Sequence, residues 1–193
     1  DGTQVYCWND GAIACVAFRG TEPTQWSDIK ADLKIRRVKC PTGFVHRGFR
    51  DALNEVWDNV SKWLSAQKKE HVFFTGHSLG GALATLAASR WNTPTTHLYT
   101  YGSPRVGGKK FVQSFKTNER YRYRNNNDIV TRVPFEILGY KHVSGDGGNF
   151  IYFDTNGNVS TNFSRWYMFK QWIKGTLRGF TKFKIDGFSD HSI

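Results

Sequence analysis

Apolar residues along the chain fall into short β-prone runs and longer stretches of helical period. Val5-Tyr6-Cys7-Trp8 and Ile13 to Phe18 flank Asn9-Asp10-Gly11, which predicts an N-terminal antiparallel hairpin. Trp26, Ile29 and Leu33 suit a short amphipathic helix with Asp28, Lys30 and Asp32 on its other faces. Ile35 to Pro41 reads as basic and irregular. The segment from Phe44 then leads into a long helix whose apolar positions are Phe49, Leu53, Val56, Trp57, Val60, Trp63 and Leu64. That helix ends near Gln67-Lys68-Lys69, where cations suit the negative end of the helix dipole.

His71 to Thr75 is strand-like, and Gly81 to Trp91 is small-residue helix stopped by Pro94. His97 to Tyr101 predicts another strand, Lys109 to Lys116 a short helix, and Tyr121 to Asn125 a further strand. Strands alternating with helices imply right-handed crossovers, hence an α/β fold with a mostly parallel central sheet flanked by helices. Past Asp128 the pattern weakens, although Asn149 to Phe153 and Asn156-Gly157 suggest a hairpin. No repeat or linker interrupts residues 1–193, so a single domain is expected.

Charge narrows the choice of partners. The net charge of +11 suits an ordinary basic surface, nucleic acid or an anionic lipid surface. No nucleic-acid motif is present, which favours a membrane or micelle surface and excludes nucleic acid as the expected partner. No apolar window is long enough for a transmembrane segment. The chain opens at Asp1 with no signal-peptide pattern; a trimmed product is expected, with secretion favoured. Cys7, Cys15 and Cys40 fit no zinc spacing and admit one disulfide or three thiols. From Phe163 to Lys184 the chain is aromatic and basic together. Trp166, Phe169, Trp172 and Ile173 share one prospective helix face, among Arg165, Lys170, Lys174, Arg178, Lys182 and Lys184. This stretch suits either a helix packed on the core or an interfacial surface.

The chemistry centres on Gly76-His77-Ser78-Leu79-Gly80, a G-x-S-x-G between a predicted strand and a predicted helix. That context presents a serine on a sharp turn at a helix N-terminus, and side chains at Gly76 or Gly80 would collide with the neighbouring strand and helix. A serine hydroxyl needs a base, usually His, oriented by a carboxylate, and on this architecture the order is Ser, acid, His. Asp128 is the favoured acid, at the end of a later strand; Asp146 and Asp154 are its rivals in turn-like sequence. His191 is favoured over His142 as base, and His77 is assigned to support of the turn. His46, His71 and His97 suit surface or core roles. Two oxyanion donors are expected, the Leu79 N–H and Thr21 in Arg19-Gly20-Thr21, which ends an earlier strand. The reaction calls for no metal or other cofactor, and the six histidines make no metal-ligand spacing.

Phe18-Arg19-Gly20-Thr21, Val45-His46-Arg47-Gly48-Phe49, Thr75 to Ala84, Tyr101 to Gly107, Asp128 to Pro134 and Asp190-His191-Ser192 occur in one order. As an ordered set they resemble the class 3 lipases, the fungal-lipase-like α/β hydrolases. The resemblance implies the α/β-hydrolase fold, a Ser78–Asp128–His191 triad, oxyanion donors at Thr21 and Leu79, and a lid helix near Pro23 to Leu33, including Trp26 and Ile29. It also implies interfacial activation and hydrolysis of glycerolipid esters, triacylglycerols first, with phospholipase A1 or a short-chain or feruloyl esterase as alternatives. Outside enzymes, the alternative is a non-catalytic lipid-binding module. The chain departs from the family by starting near the first strand and by stopping at Ile193 soon after the histidine.

Overall fold

A computed structural model describes residues 2–20, 36–116, 119–126, 128–143, 149–161, 164, 166–171, 173 and 174. In chain order these form β1 (Val5–Asn9), β2 (Ile13–Phe18), β3 (Arg37–Cys40), β4 (Gly43–His46), α1 (Arg47–Ala66), β5 (His71–His77), α2 (Leu79–Trp91) and β6 (Thr96–Tyr101). There follow β7 (Gly107–Gly108), α3 (Lys109–Gln113), β8 (Arg120–Asn125), 3-10 turns at Val130–Arg132 and Glu136–Leu138, β9 (Tyr140–Lys141), β10 (Asn149–Phe153) and β11 (Val159–Ser160).

The main sheet runs β1-β2-β5-β6-β8-β10-β11. β2, β5, β6, β8 and β10 are mutually parallel, and antiparallel pairs at either edge, β1–β2 and β10–β11, complete it. All five parallel strands therefore end on the same side of the molecule, where ligand sites of open α/β sheets lie. The expected N-terminal hairpin forms about Asn9-Asp10-Gly11, with the Asp10 carboxylate accepting the Ala12 and Ile13 N–H groups. No helix among the described residues is long and apolar enough to cross a membrane.

Alternation along the strands divides the sheet's two faces. Ala14, Val16, Phe18, Val72, Phe74 and Leu98 lie in one core with Phe49, Leu53, Val60 and Leu64 of α1. α2 lies deepest, buried continuously from Gly80 to Ala88, and its small residues let its backbone approach the sheet. Lys69 Nζ donates to the Leu64 carbonyl at the end of α1, where a cation was expected. On the opposite face aromatic rings stack across strands: Phe73 on His97 (4.4 Å), Tyr99 on Tyr121 (4.8 Å) and Tyr101 on Tyr123 (4.7 Å).

One sequence expectation is overturned. The basic stretch 35–41 is not irregular from Arg37 onward: β3 pairs with β4 as a hairpin, and β7 and β9 extend it into a second sheet, β3-β4-β7-β9. Strands of two to four residues carry no readable period, and β7 and β9 join the β3–β4 hairpin only because Gly107 meets Val45 and Lys141 across long sequence separations. All three cysteines are free thiols. Residues 166–171 and 173–174 are helical. This helix packs at the β10–β11 turn through the Tyr167 hydroxyl, which donates to Asp154 (2.8 Å), and Gln171, which accepts from Thr155 (2.8 Å). Most of the stretch 163–184 beyond it, with the Trp172 side chain, lies outside the described residues.

Candidate active site

Ser78 occupies the step between β5 and α2 with φ 57° and ψ −125°, outside the conformations ordinary for an L-residue. Its N–H donates to the Tyr101 carbonyl (2.8 Å), and its carbonyl accepts from Gly81 (3.0 Å) and Ala82 (3.3 Å). These bonds fix the turn from both sides. The glycines make it sterically feasible: a Cβ on Gly76 would lie 2.3 Å from the Gly80 carbonyl carbon, and one on Gly80 would lie 2.1 Å from the Phe18 carbonyl oxygen. The end of β2 is thereby pressed against the start of α2. A Cβ on Gly20 would meet the His77 carbonyl oxygen at 2.6 Å, so the residue before Thr21 already touches the turn. Ser78 is fully buried, and its Oγ has no hydrogen-bond partner among the described residues. Leu79 opens α2, where the first N–H groups of a helix lack intrahelical acceptors and face any charge that develops at Ser78.

Asp128 follows β8 on the same side of the sheet and is 1% exposed. Its Oδ1 accepts the Val130 N–H (2.9 Å), its carbonyl accepts the Thr131 hydroxyl (2.8 Å), and its N–H donates to Asn125 (2.9 Å). Arg105 braces the segment beyond by donating to the carbonyls of Arg132 and Pro134. Asp154, the rival acid, is consumed by its own turn. Burial opposes its charge, but the Asn158 side chain, the Asn156 N–H, the Tyr167 hydroxyl and the Asn158 N–H together hold its carboxyl at about 2. Asp146 lies outside the described residues.

The two histidine candidates differ in kind. His142 shares a hydrogen bond with the Thr131 carbonyl through Nε2 (2.7 Å). Burial, then the charges of Arg122 and Arg105, hold its imidazole well below its usual range, and its hydrogen bond lies just beyond Asp128. His191 and Thr21 lie outside the described residues, as do Pro23, Trp26, Ile29 and Leu33 of the expected lid. His77 stands at the end of β5 beside Ser78. His46 is buried against Phe49 (4.4 Å), whereas His71 and His97 meet each other across β5 and β6 (2.8 Å between ring nitrogens).

A row of cations behind Asp128 was not foreseen. Arg122 and Arg124 alternate with Tyr121 and Tyr123 along β8 and turn inward. Burial first, then neighbouring guanidinium groups, bring Arg122 down to about 9 and Arg124 to about 10, while Asp128 pulls both the other way. The alternation was visible in the sequence, but nothing in it marked the charged side as the buried one.

A family model described as Lipase (class 3) matches residues 15–138. The chain is 43% identical over 116 residues to secreted mono- and diacylglycerol lipase 1 of Fusarium solani, covering 54% of this chain and 35% of that protein. It is 32% identical over 158 residues to secreted mono- and diacylglycerol lipase A of Penicillium cyclopium, covering 76% of this chain and 50% of that protein. Among solved structures, the triacylglyceride lipase of Rhizomucor miehei superposes with a TM-score of 0.68 at 26% identity, over 83% of this chain and 66% of that one. The chain thus spans half the length, or less, of these two curated relatives.

Proposed function

Because the chain belongs to the class 3 lipase family, we propose that it hydrolyses carboxylic esters of glycerolipids, with Ser78 as nucleophile, His191 as base and Asp128 as the group that orients the base. Ser78 Oγ attacks the ester carbonyl as His191 takes its proton. The oxyanion forms against the N–H of Leu79 and the donor at Thr21, and collapse expels the alcohol with the proton returned by His191. Water, deprotonated by the same histidine, then releases the fatty acid from the acyl-enzyme. The chemistry requires no metal or other cofactor. Mono- and diacylglycerols head the substrate panel because two relatives carry those names, and the same names support a secreted setting.

One observation carries this reading. Ser78 is held in a sparsely populated backbone conformation, with its hydroxyl buried, unpartnered among the described residues and placed at a helix N-terminus. A fold gains no stability from such a hydroxyl, and an acyl-transfer nucleophile needs that placement. The test measures p-nitrophenyl butyrate hydrolysis and fluorophosphonate labelling in Ser78→Ala, His191→Ala and His142→Ala. Hydrolysis and labelling are expected to vanish in the first two and to persist in the third. Activity in Ser78→Ala sinks the mechanism; loss in His142→Ala with retention in His191→Ala moves the base.

A further inference from the structure

β8 turns arginines into the interior. Cross-strand register sets Arg120 beside Leu98 and Arg122 beside Thr100, on the side of the sheet that carries α2. The two arginines line a cavity together with Thr85 of α2, Thr100, Ser103 and His142. Leu98, Val106 and Val143 are among the apolar side chains that complete the wall. Arg120, Thr85, Thr100 and Ser103 are each at most 5% exposed, so buried polar groups face one another here. About 10 Å³ of the cavity is open to the centre of a water-sized sphere, room for one water or one monatomic ion.

The wall selects by charge. No carboxylate lines it among the described residues, whereas two guanidinium groups and an imidazole do. Aromatic rings lie against both guanidinium groups: Arg122 stands 3.9 Å over Phe150 and Arg120 stands 5.7 Å over Phe115. Asp128 attracts Arg122 through space. Burial and the like charges of Arg124 and Arg105 outweigh that attraction and bring Arg122 down to about 9. A guanidinium donates hydrogen bonds and accepts none, and a buried charge is retained where an opposite charge accompanies it. Such a wall repels a metal cation, and a space of this size excludes an extended ligand.

We propose that this cavity binds a monatomic inorganic anion of about the size of chloride, held by Arg120 and Arg122 beside Thr100 and Ser103. The anion ties together parts of the chain that meet only there. Thr85 belongs to α2, the arginines to β8, and His142 is bonded to the Thr131 carbonyl while the Thr131 hydroxyl donates to the Asp128 carbonyl. Occupancy therefore consolidates the layer on which Asp128 stands and stabilises the folded chain by mass action. Anion binding here is independent of ester hydrolysis, and the Ser78→Ala chain is expected to behave as the parent does.

Two measurements on the parent chain test it. Thermal unfolding is followed in sodium chloride and in sodium gluconate at equal ionic strength, because a chain of charge +11 responds to salt in general. For a dissociation constant of about 10 mM, about 100 mM chloride raises the unfolding midpoint by about 3–6 °C over gluconate. Chloride NMR line width reads binding directly: the chain is expected to broaden the line, sodium bromide to reverse the broadening, and gluconate to leave it unchanged. Arg120→Gln and Arg122→Gln are each expected to reduce the excess width and the chloride-specific midpoint shift about tenfold, whereas Lys170→Gln/Lys174→Gln, which removes surface charge alone, leaves both in place. Circular dichroism reports whether each arginine variant folds, and the parent-chain comparison of chloride with gluconate decides the matter if neither does. Equal stabilisation by gluconate, no line broadening by the parent, or broadening that survives in folded Arg120→Gln and Arg122→Gln overturns the proposal.

Discussion

Gly80→Ala tests how tightly the strand end and the nucleophile turn are built together. The added Cβ would sit 2.1 Å from the Phe18 carbonyl oxygen and 2.9 Å from the Arg19 carbonyl carbon. Both obstacles are backbone, so no side chain can swing aside. Real Cβ atoms essentially never come within 3.0 Å of such a neighbour, so the end of β2 or the start of α2 must retreat by at least 0.9 Å. Forcing extra volume into a packed site costs about 1–3 kcal/mol, and a backbone obstacle puts this case near the upper figure. At about 2–4 °C per kcal/mol for a chain of this size, the unfolding midpoint should fall by about 6–12 °C. The same displacement moves Gly20, and Thr21 after it, relative to Ser78. A misplacement of about 1 Å at a reacting centre is expected to cost roughly 100-fold in kcat. The control is Gly11→Ala, at φ +96° with nothing within 4 Å of the new Cβ, which carries backbone strain alone and lies in the distant hairpin. Thermal unfolding followed by circular dichroism and kcat on p-nitrophenyl butyrate read both effects. A Gly80→Ala chain that melts and turns over like its parent would refute the close packing from which the site is built.

Other expectations follow from single contacts. Ser78→Ala should lose hydrolysis by more than about 10⁴-fold yet melt no lower than the parent, because it deletes a buried hydroxyl that has no partner among the described residues; a marked fall in the midpoint would contradict that setting. Asp154 has its folded pKa depressed to about 2, so its stabilisation is complete above the ordinary carboxylate range near 4 and disappears as pH falls through 2. Urea midpoints measured from pH 5 to pH 2 should therefore fall more gently in Asp154→Asn than in the parent, and parallel curves would refute the assignment. Arg105→Met removes the donors to Arg132 and Pro134 and should destabilise by about 1.5–3 kcal/mol in equilibrium unfolding; wild-type stability would show that the brace behind Asp128 carries no energy.

Short-range signals determined much of this molecule from sequence alone. Asn9-Asp10-Gly11 specified its hairpin, the 3.6 period from Phe49 to Leu64 specified α1, and the strand–G-x-S-x-G–helix run specified the turn at Ser78. Each depends on residues within a turn or two of one another, where period and turn chemistry act directly. That the central sheet is mostly parallel was also legible, since strands alternating with helices imply crossovers.

Tertiary structure decided what depends on distant partners. Asp128 and Asp154 both stand at strand ends, and only the assembled fold shows that Asp154 is bound to Asn158 and Tyr167. In the second sheet β7 and β9 are two residues each, too short for any pattern, and they join β4 only through pairings across long sequence separations. The inward side of β8 carries Arg122 and Arg124 rather than Tyr121 and Tyr123 because strand register places them there. Alternation reveals that a strand has two sides, and hydrophobicity normally says which is buried. Here aromatic stacking with β6 held the tyrosines outward and sent the arginines in, a choice that exists only once the neighbouring strand is in place.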